Sequence, residues 1–176
     1  LSHSGTESNI YSWTYRACPY VPVYDSEGNY AGSKIAGTGN WQNPVAILER
    51  NKDNYYTTQR VFGNIYAEVD FMKGLTFKTN FGLDYRNDYY YAISKKNPEF
   101  SETTGQNSFS ENNYFNYRWV WTNTLNFNRT FNEKHAVTVL LGTEAIRDGL
   151  GRTLYGYRTN YLFEDNNNTY TLTMGE

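Results

Sequence analysis

A chain of 176 residues with a formal net charge of −2, its charges of both signs scattered, leaves no electrostatic footprint for nucleic acid and no basic run for a membrane-surface anchor. The single cysteine, Cys18, excludes an internal disulfide, and with His3 and His135 as the two histidines no nucleophile–base pair is spelled out. Aromatic content is the departure from the ordinary: 18% of residues, 18 of them tyrosine, a composition suited to boundaries where an apolar ring body meets a polar tip.

Residues 1–60 read as an irregular loop region. Turn formers punctuate it at Glu27-Gly28-Asn29, Gly37-Thr38-Gly39 and Asn43-Pro44, and Ala46 to Arg50 predicts one helical turn after Pro44. The opening LSHSGTESNI carries neither the charged nor the apolar region of a signal peptide. No apolar run approaches the roughly 18 residues of a transmembrane helix. A piece of a longer protein is expected.

Strands follow in two pairs. In the first hairpin, residues 61–86, the odd positions are Val61, Ile65, Val69 and Phe71, then Leu75, Phe77, Phe81, Leu83 and Tyr85; the even positions carry Asn64, Glu68, Asp70, Lys78, Asn80, Asp84 and Arg86. Gly74 supplies the tight turn between them. Residues 87–114 read as a long polar loop. The second hairpin, residues 115–146, repeats the alternation. Trp119, Trp121, Leu125, Phe127, Val137, Val139 and Leu141 stand on the odd face, with Asn116, Arg118 and Glu144 opposite. Residues 147–176 then read as a further loop and the start of another strand.

Alternation alone fits a soluble antiparallel sandwich as well as a membrane barrel. Three features favour the barrel. Each alternating run exceeds the five or six residues usual in globular strands and matches the roughly 9–11 needed to cross the hydrocarbon. Short connections alternate with long polar ones. Tyrosine and tryptophan gather towards the long-loop ends, with aliphatic residues between, as in an aromatic girdle. The fold class expected is all-β, antiparallel up-and-down strands forming part of a large transmembrane β-barrel with long external loops. The alternative is a soluble aromatic-rich β-sandwich acting as a carbohydrate-binding module.

No catalytic or metal constellation emerges, and no cofactor is expected. Glu68 and Asp70 share a strand face beside Lys78, where solvated or ion-paired carboxylates are the simpler reading. Asp25-Ser26-Glu27-Gly28-Asn29 lacks the oxygen spacing of a calcium loop, and Asp165 to Asn168 reads as an exposed polar loop. His135 begins a strand with no second ligand nearby.

Local phrases carry a resemblance. PVYDSEGNYAG, NPVAILERN and RVFGNIYAEVDFMKGLTFKTNFGLDY, followed by WVWTNTLNFNRTFNEKHAVTVLLGTEAIRD, are similar in order and spacing to the SusC/RagA family of TonB-dependent outer-membrane transporters, over residues 16–148. The resemblance implies a Gram-negative outer-membrane protein, not an enzyme, for nutrient import: uptake of oligosaccharides (glycans) or peptides. It implies a barrel enclosing a plug, energised through TonB, with a SusD-like surface lipoprotein as lid. The first 60 residues and the long loops are then external. The even residues Asn64, Glu68, Asp70, Lys78, Asn80, Asp84, Arg86, Asn116, Arg118 and Glu144 are expected to face the lumen and meet plug or substrate. The odd set, Val61 to Leu141, is expected to face outer-membrane lipid. Tyr90, Tyr91 and Phe100 are loop aromatics suited to a lid or to sugar rings.

Overall fold

The computed structural model describes residues 2–5, 10–161 and 166–175. In chain order these form β1 (Ser2–Gly5), α1 (Ile10–Arg16), α2 (Pro44–Asn51), β2 (Tyr55–Met72), β3 (Leu75–Ser94), β4 (Ser108–Phe131), β5 (His135–Arg147) and β6 (Arg152–Thr159), then a 3-10 turn at Asn167–Thr169. All six strands belong to one sheet, ordered β1-β2-β3-β4-β5, with β6 also paired to β4. A sandwich needs a second sheet over the apolar face, and among the described residues there is none. Among the described residues no helix is long and apolar enough to cross a membrane, which leaves crossing by strands open.

The strands are longer than the alternation predicts. β2 has 18 residues, β3 has 20 and β4 has 24. At about 3.3 Å per residue, β4 alone extends roughly 80 Å. The supposed loop at 87–114 is therefore mostly strand: β3 continues to Ser94 and β4 begins at Ser108. Likewise β2 begins at Tyr55 and β6 occupies 152–159 within the supposed terminal loop. The cause is visible in Asn87-Asp88-Tyr89-Tyr90-Tyr91: tyrosine has strand propensity, but with polar tips on both faces the alternation fades while the backbone ladder goes on. The region before residue 60 also holds two helices, and α2 runs two turns from Pro44, not one.

The two short connections turn tightly for different reasons. At Lys73-Gly74 the glycine takes φ +86°, and a Cβ there would lie 2.1 Å from the carbonyl oxygen of Asn128. The same glycine's oxygen accepts from the Asn128 amide at 2.7 Å, so backbone of the next strand pair needs that space. Between β4 and β5, Asn132 and Glu133 sit at φ 51° and 57°, and the Lys134 amide donates to Phe131 oxygen at 3.1 Å. Two successive positive φ values closed by that bond are those of a type I′ turn, here set in a three-residue loop between Phe131 and His135. From it β5 pairs with β4 in unbroken register, Phe131 with His135 through Trp119 with Arg147.

Two compact units share these strands. One comprises Gln59–Asn87 and Tyr114–Thr153; the other comprises Leu1–Thr58, Asp88–Asn113 and Leu154–Glu176. The first is a single layer: residues 59–72 of β2 and the whole of β5 are exposed on both faces. The second has a core. Ile93, Phe109, Tyr161 and Tyr170 are buried together, with Tyr91 and Leu172 packed against them. Separately, Trp41, Ala46 and Asn43 are buried around the start of α2.

Candidate functional site

In the single-layer unit, side-chain contacts fix which residues share a face. On the even face Arg60 holds Asp84 with two hydrogen bonds, 2.9 and 2.7 Å. Asn64 donates to Asn80 at 2.9 Å, Lys78 approaches Glu68 at 3.6 Å, and Thr76 donates to Asp70 at 2.5 Å. Further along, Arg118 approaches Asp148 at 3.8 Å. The odd face joins rings: Phe71 to Phe77 with centroids 6.4 Å apart, Phe81 to Trp119 at 6.2 Å. Trp121 donates its indole N–H to the Thr79 hydroxyl at 2.9 Å on that same face.

The register of β4 and β5 carries the division across the sheet, pairing odd with odd and even with even: Phe127 with Val139, Leu125 with Leu141, Trp121 with Ala145, Thr122 with Glu144. All ten even residues singled out from the sequence thus lie on strands whose odd positions carry the apolar set. Asn64, Glu68, Asp70, Lys78, Asn80 and Asp84 are brought into cross-strand pairs and Arg118 approaches Asp148 just past the end of β5, whereas Asn116 keeps a buried amide oxygen without a hydrogen-bond partner. Both faces are open. Ile65 is 73% exposed on one and Phe62 75% on the other. The even face also carries Tyr66, Met72, Leu140 and Ile146, all exposed. In a water-soluble layer, side chains this exposed at mid-strand would forgo the stabilisation of about 1.5–3 kcal/mol that burying each large apolar one contributes.

The second unit holds a polar framework that the sequence did not announce. Asn43 caps α2, accepting from Val45 and Ala46 amides at 3.0 and 3.2 Å. Its NH2 group donates to Val23 and Ala31 oxygens at 2.8 and 2.7 Å. Asn54 bonds both backbone groups of Ile93, at 3.0 and 2.7 Å, standing in for a strand residue ahead of β2. Arg50, near the end of α2, grips Glu99 through two bonds of 2.5 and 2.9 Å. Beside that pair opens a cavity of about 260 Å³, lined among others by Trp13, Gln42, Arg50, Asn51, Lys95 and Asn97. Only residue type could have hinted at it, since its walls come from α1, α2 and the end of β3.

Other candidates find local employment. Asp25 accepts from the amides of Glu27 and Asn29 at 2.9 and 2.8 Å, so its carboxylate closes a turn. Phe100 is buried and meets Trp13 edge-on, and Tyr91 stacks on Tyr55 with centroids 5.1 Å apart. Asn166 caps the 3-10 turn, while Asp165 lies outside the described residues. Tyr89 donates a short hydrogen bond to Glu111, and burial above all, then that bond, pushes its phenol pKa up. His135 pairs with Phe131 at the start of β5.

No family model matches the chain. Among curated proteins it is 32% identical over 127 residues to TonB-dependent receptor P39 of Formosa agariphila, covering 70% of this chain and 11% of that protein. It is 31% identical over 84 residues to TonB-dependent receptor P3 of the same organism, covering 45% of this chain and 8% of that one. The chain thus spans about a tenth of the length of these relatives. A solved structure described as the RagAB peptide transporter shares the fold, with a TM-score of 0.64 at 21% identity over 88% of this chain and 17% of the other.

Proposed function

Taking the chain as a segment of a SusC/RagA-type TonB-dependent receptor, we propose that residues 59–87 and 114–153 form part of a barrel wall in the outer membrane of a Gram-negative bacterium. Their odd face, Val61 to Leu141, meets lipid, and their even face, from Asn64 to Glu144, meets the lumen. The observation that carries this is the single layer with two open faces, of which one holds every charged residue singled out from the sequence and the other the continuous apolar set. A one-layer sheet keeps its apolar side from water only if something outside the layer covers it, and long strands with alternating faces suit lipid in that role. Residues outside that wall, with their own packed core, belong to the external surface.

The parent protein, in this reading, is not an enzyme but an importer of oligosaccharides or peptides. It works with a SusD-like surface lipoprotein and draws energy through TonB. Support comes from the receptor names of the relatives and from the peptide-transporter description of the structural neighbour.

The test is paired cysteine labelling in the full-length receptor in outer membranes, with Cys18 replaced by serine. Val139→Cys is expected to react with a lipid-soluble maleimide and resist a charged one. Thr138→Cys, its neighbour on the other face, is expected to react with the charged reagent. Equal labelling of both positions by the charged reagent removes the wall assignment. In parallel, deleting the receptor gene should abolish growth on at least one oligosaccharide or peptide source; unimpaired growth on every such source counts against import.

A further inference from the structure

We infer that the cavity between α1, α2 and the end of β3 binds a carboxylate carried on a unit about the size of one sugar or one amino acid. The inference rests on the transporter reading, because it takes the ligand to be cargo arriving from outside. Its basis is the direction in which the polar groups around the cavity are already committed.

Two lining amides already engage their oxygens. Asn97 accepts the backbone N–H of Thr104 at 2.6 Å, which fixes that atom as the oxygen. Asn54 accepts the Ile93 amide with its own oxygen, so the group it turns to Asn51, 3.1 Å away, is its NH2, and the Asn51 atom there is oxygen. Each oxygen is thus oriented towards an internal donor, and the NH2 groups of Asn97 and Asn51 are the donors left for a ligand. Gln42 and Lys95 line the same space and have no partner among the described residues. Glu99, which pairs with the lining Arg50, is buried and held by it at both oxygens, so its charge is already answered.

The lining thus offers the NH2 groups of Asn51 and Asn97, one unpaired ammonium and no carboxylate of its own, beside Gln42, Ser94 and Thr104, which can donate or accept. An unpaired ammonium beside amide N–H donors favours an anionic group over a neutral one of the same shape. Trp13 adds a half-buried indole wall, the kind of surface on which the C–H face of a sugar or the stem of a residue rests. A volume of about 260 Å³ admits one such unit and little more. A uronic-acid residue at a saccharide end and the C-terminus of a peptide present the same chemistry.

The experiment is calorimetric titration of the detergent-solubilised full-length receptor with four probes: a glucuronate-ended disaccharide, its glucose-ended counterpart, a tripeptide and the same tripeptide amidated at its C-terminus. Binding of a carboxylate probe with its neutral counterpart at least tenfold weaker is expected, and Lys95→Gln should lose about tenfold for the carboxylate probe alone. Preference for the disaccharide or for the tripeptide assigns the source. Gln42→Ala should weaken the same probe in a receptor whose thermal transition is unchanged, which separates a lost contact from a lost fold. No binding of either carboxylate probe, equal binding of neutral and charged probes, or an unchanged affinity in Lys95→Gln overturns the inference. A receptor that passes the cysteine-labelling and growth tests while failing these loses the carboxylate site and keeps the transporter reading.

Discussion

Asn43 donates a hydrogen bond of 2.7 Å to the carbonyl of Ala31 from the same side chain whose oxygen caps α2. One amide thereby ties the 23–31 turn to a helix, and it is only 1% exposed. Asn43→Ala should destabilise this unit by about 2–4 kcal/mol, summing a lost cap and two buried carbonyls left unpaired. Asn43→Asp keeps the cap but sets a carboxylate against two carbonyl oxygens, so it should not rescue. Amide exchange over residues 31–47 of the receptor checks both, and an aspartate as protective as asparagine would show that the two donated bonds contribute nothing.

The wall assignment makes a depth-dependent prediction. Arg at Phe81 or Val139 should cost about 2–4 kcal/mol if these lie near the bilayer midplane, while Arg at Asn80 or Thr138 should be mild. Reversible urea unfolding of the receptor in phospholipid vesicles reads the difference. Equal tolerance at both faces would refute one-sided contact with lipid.

The β4–β5 turn stores correctable strain. Glu133 takes φ 57° without being glycine, a conformation costing L-residues about 1–2 kcal/mol. Glu133→Gly creates the favoured Asn-Gly pair and should raise stability by about 1 kcal/mol in the same unfolding assay. Gly74→Ala should do the opposite, because its Cβ would collide with the backbone of Asn128.

Alkaline pH should loosen the second unit before it affects the wall. Burial raises the phenol pKa of Tyr30, Tyr89, Tyr91 and Tyr161. A phenol whose folded pKa lies above its unfolded value, about 10, stabilises the fold fully below that value and loses the contribution as pH rises through the folded pKa. Absorbance at the tyrosinate band should therefore show a late-titrating fraction that shrinks in Tyr89→Phe. A single ordinary titration of all tyrosines would contradict the packing around Tyr89 and Glu111.

The sequence displayed the wall plainly because alternation is a local signal: Val137, Val139 and Leu141 declare a face without reference to any other strand. Outside the wall that signal fails. Arg50 meets Glu99, and Ser33 meets Ser101, across separations of 49 and 68 residues, which no periodicity encodes. Asn54 completes a sheet with a side chain instead of a strand residue, and Asn43-Pro44 reads as a plain turn until its four hydrogen bonds are seen. The cavity beside Trp13 was invisible for the same reason.

The cross-strand pairs of β2 and β3 bear on friction. Arg60 with Asp84, Asn64 with Asn80, Glu68 with Lys78 and Asp70 with Thr76 bind sideways, within the sheet itself. In the proposed wall, groups engaged in that direction have fewer bonds to offer anything travelling past them. A surface of this kind is polar enough to stay wetted and yet slippery, and a body sliding along it would break few bonds at each step.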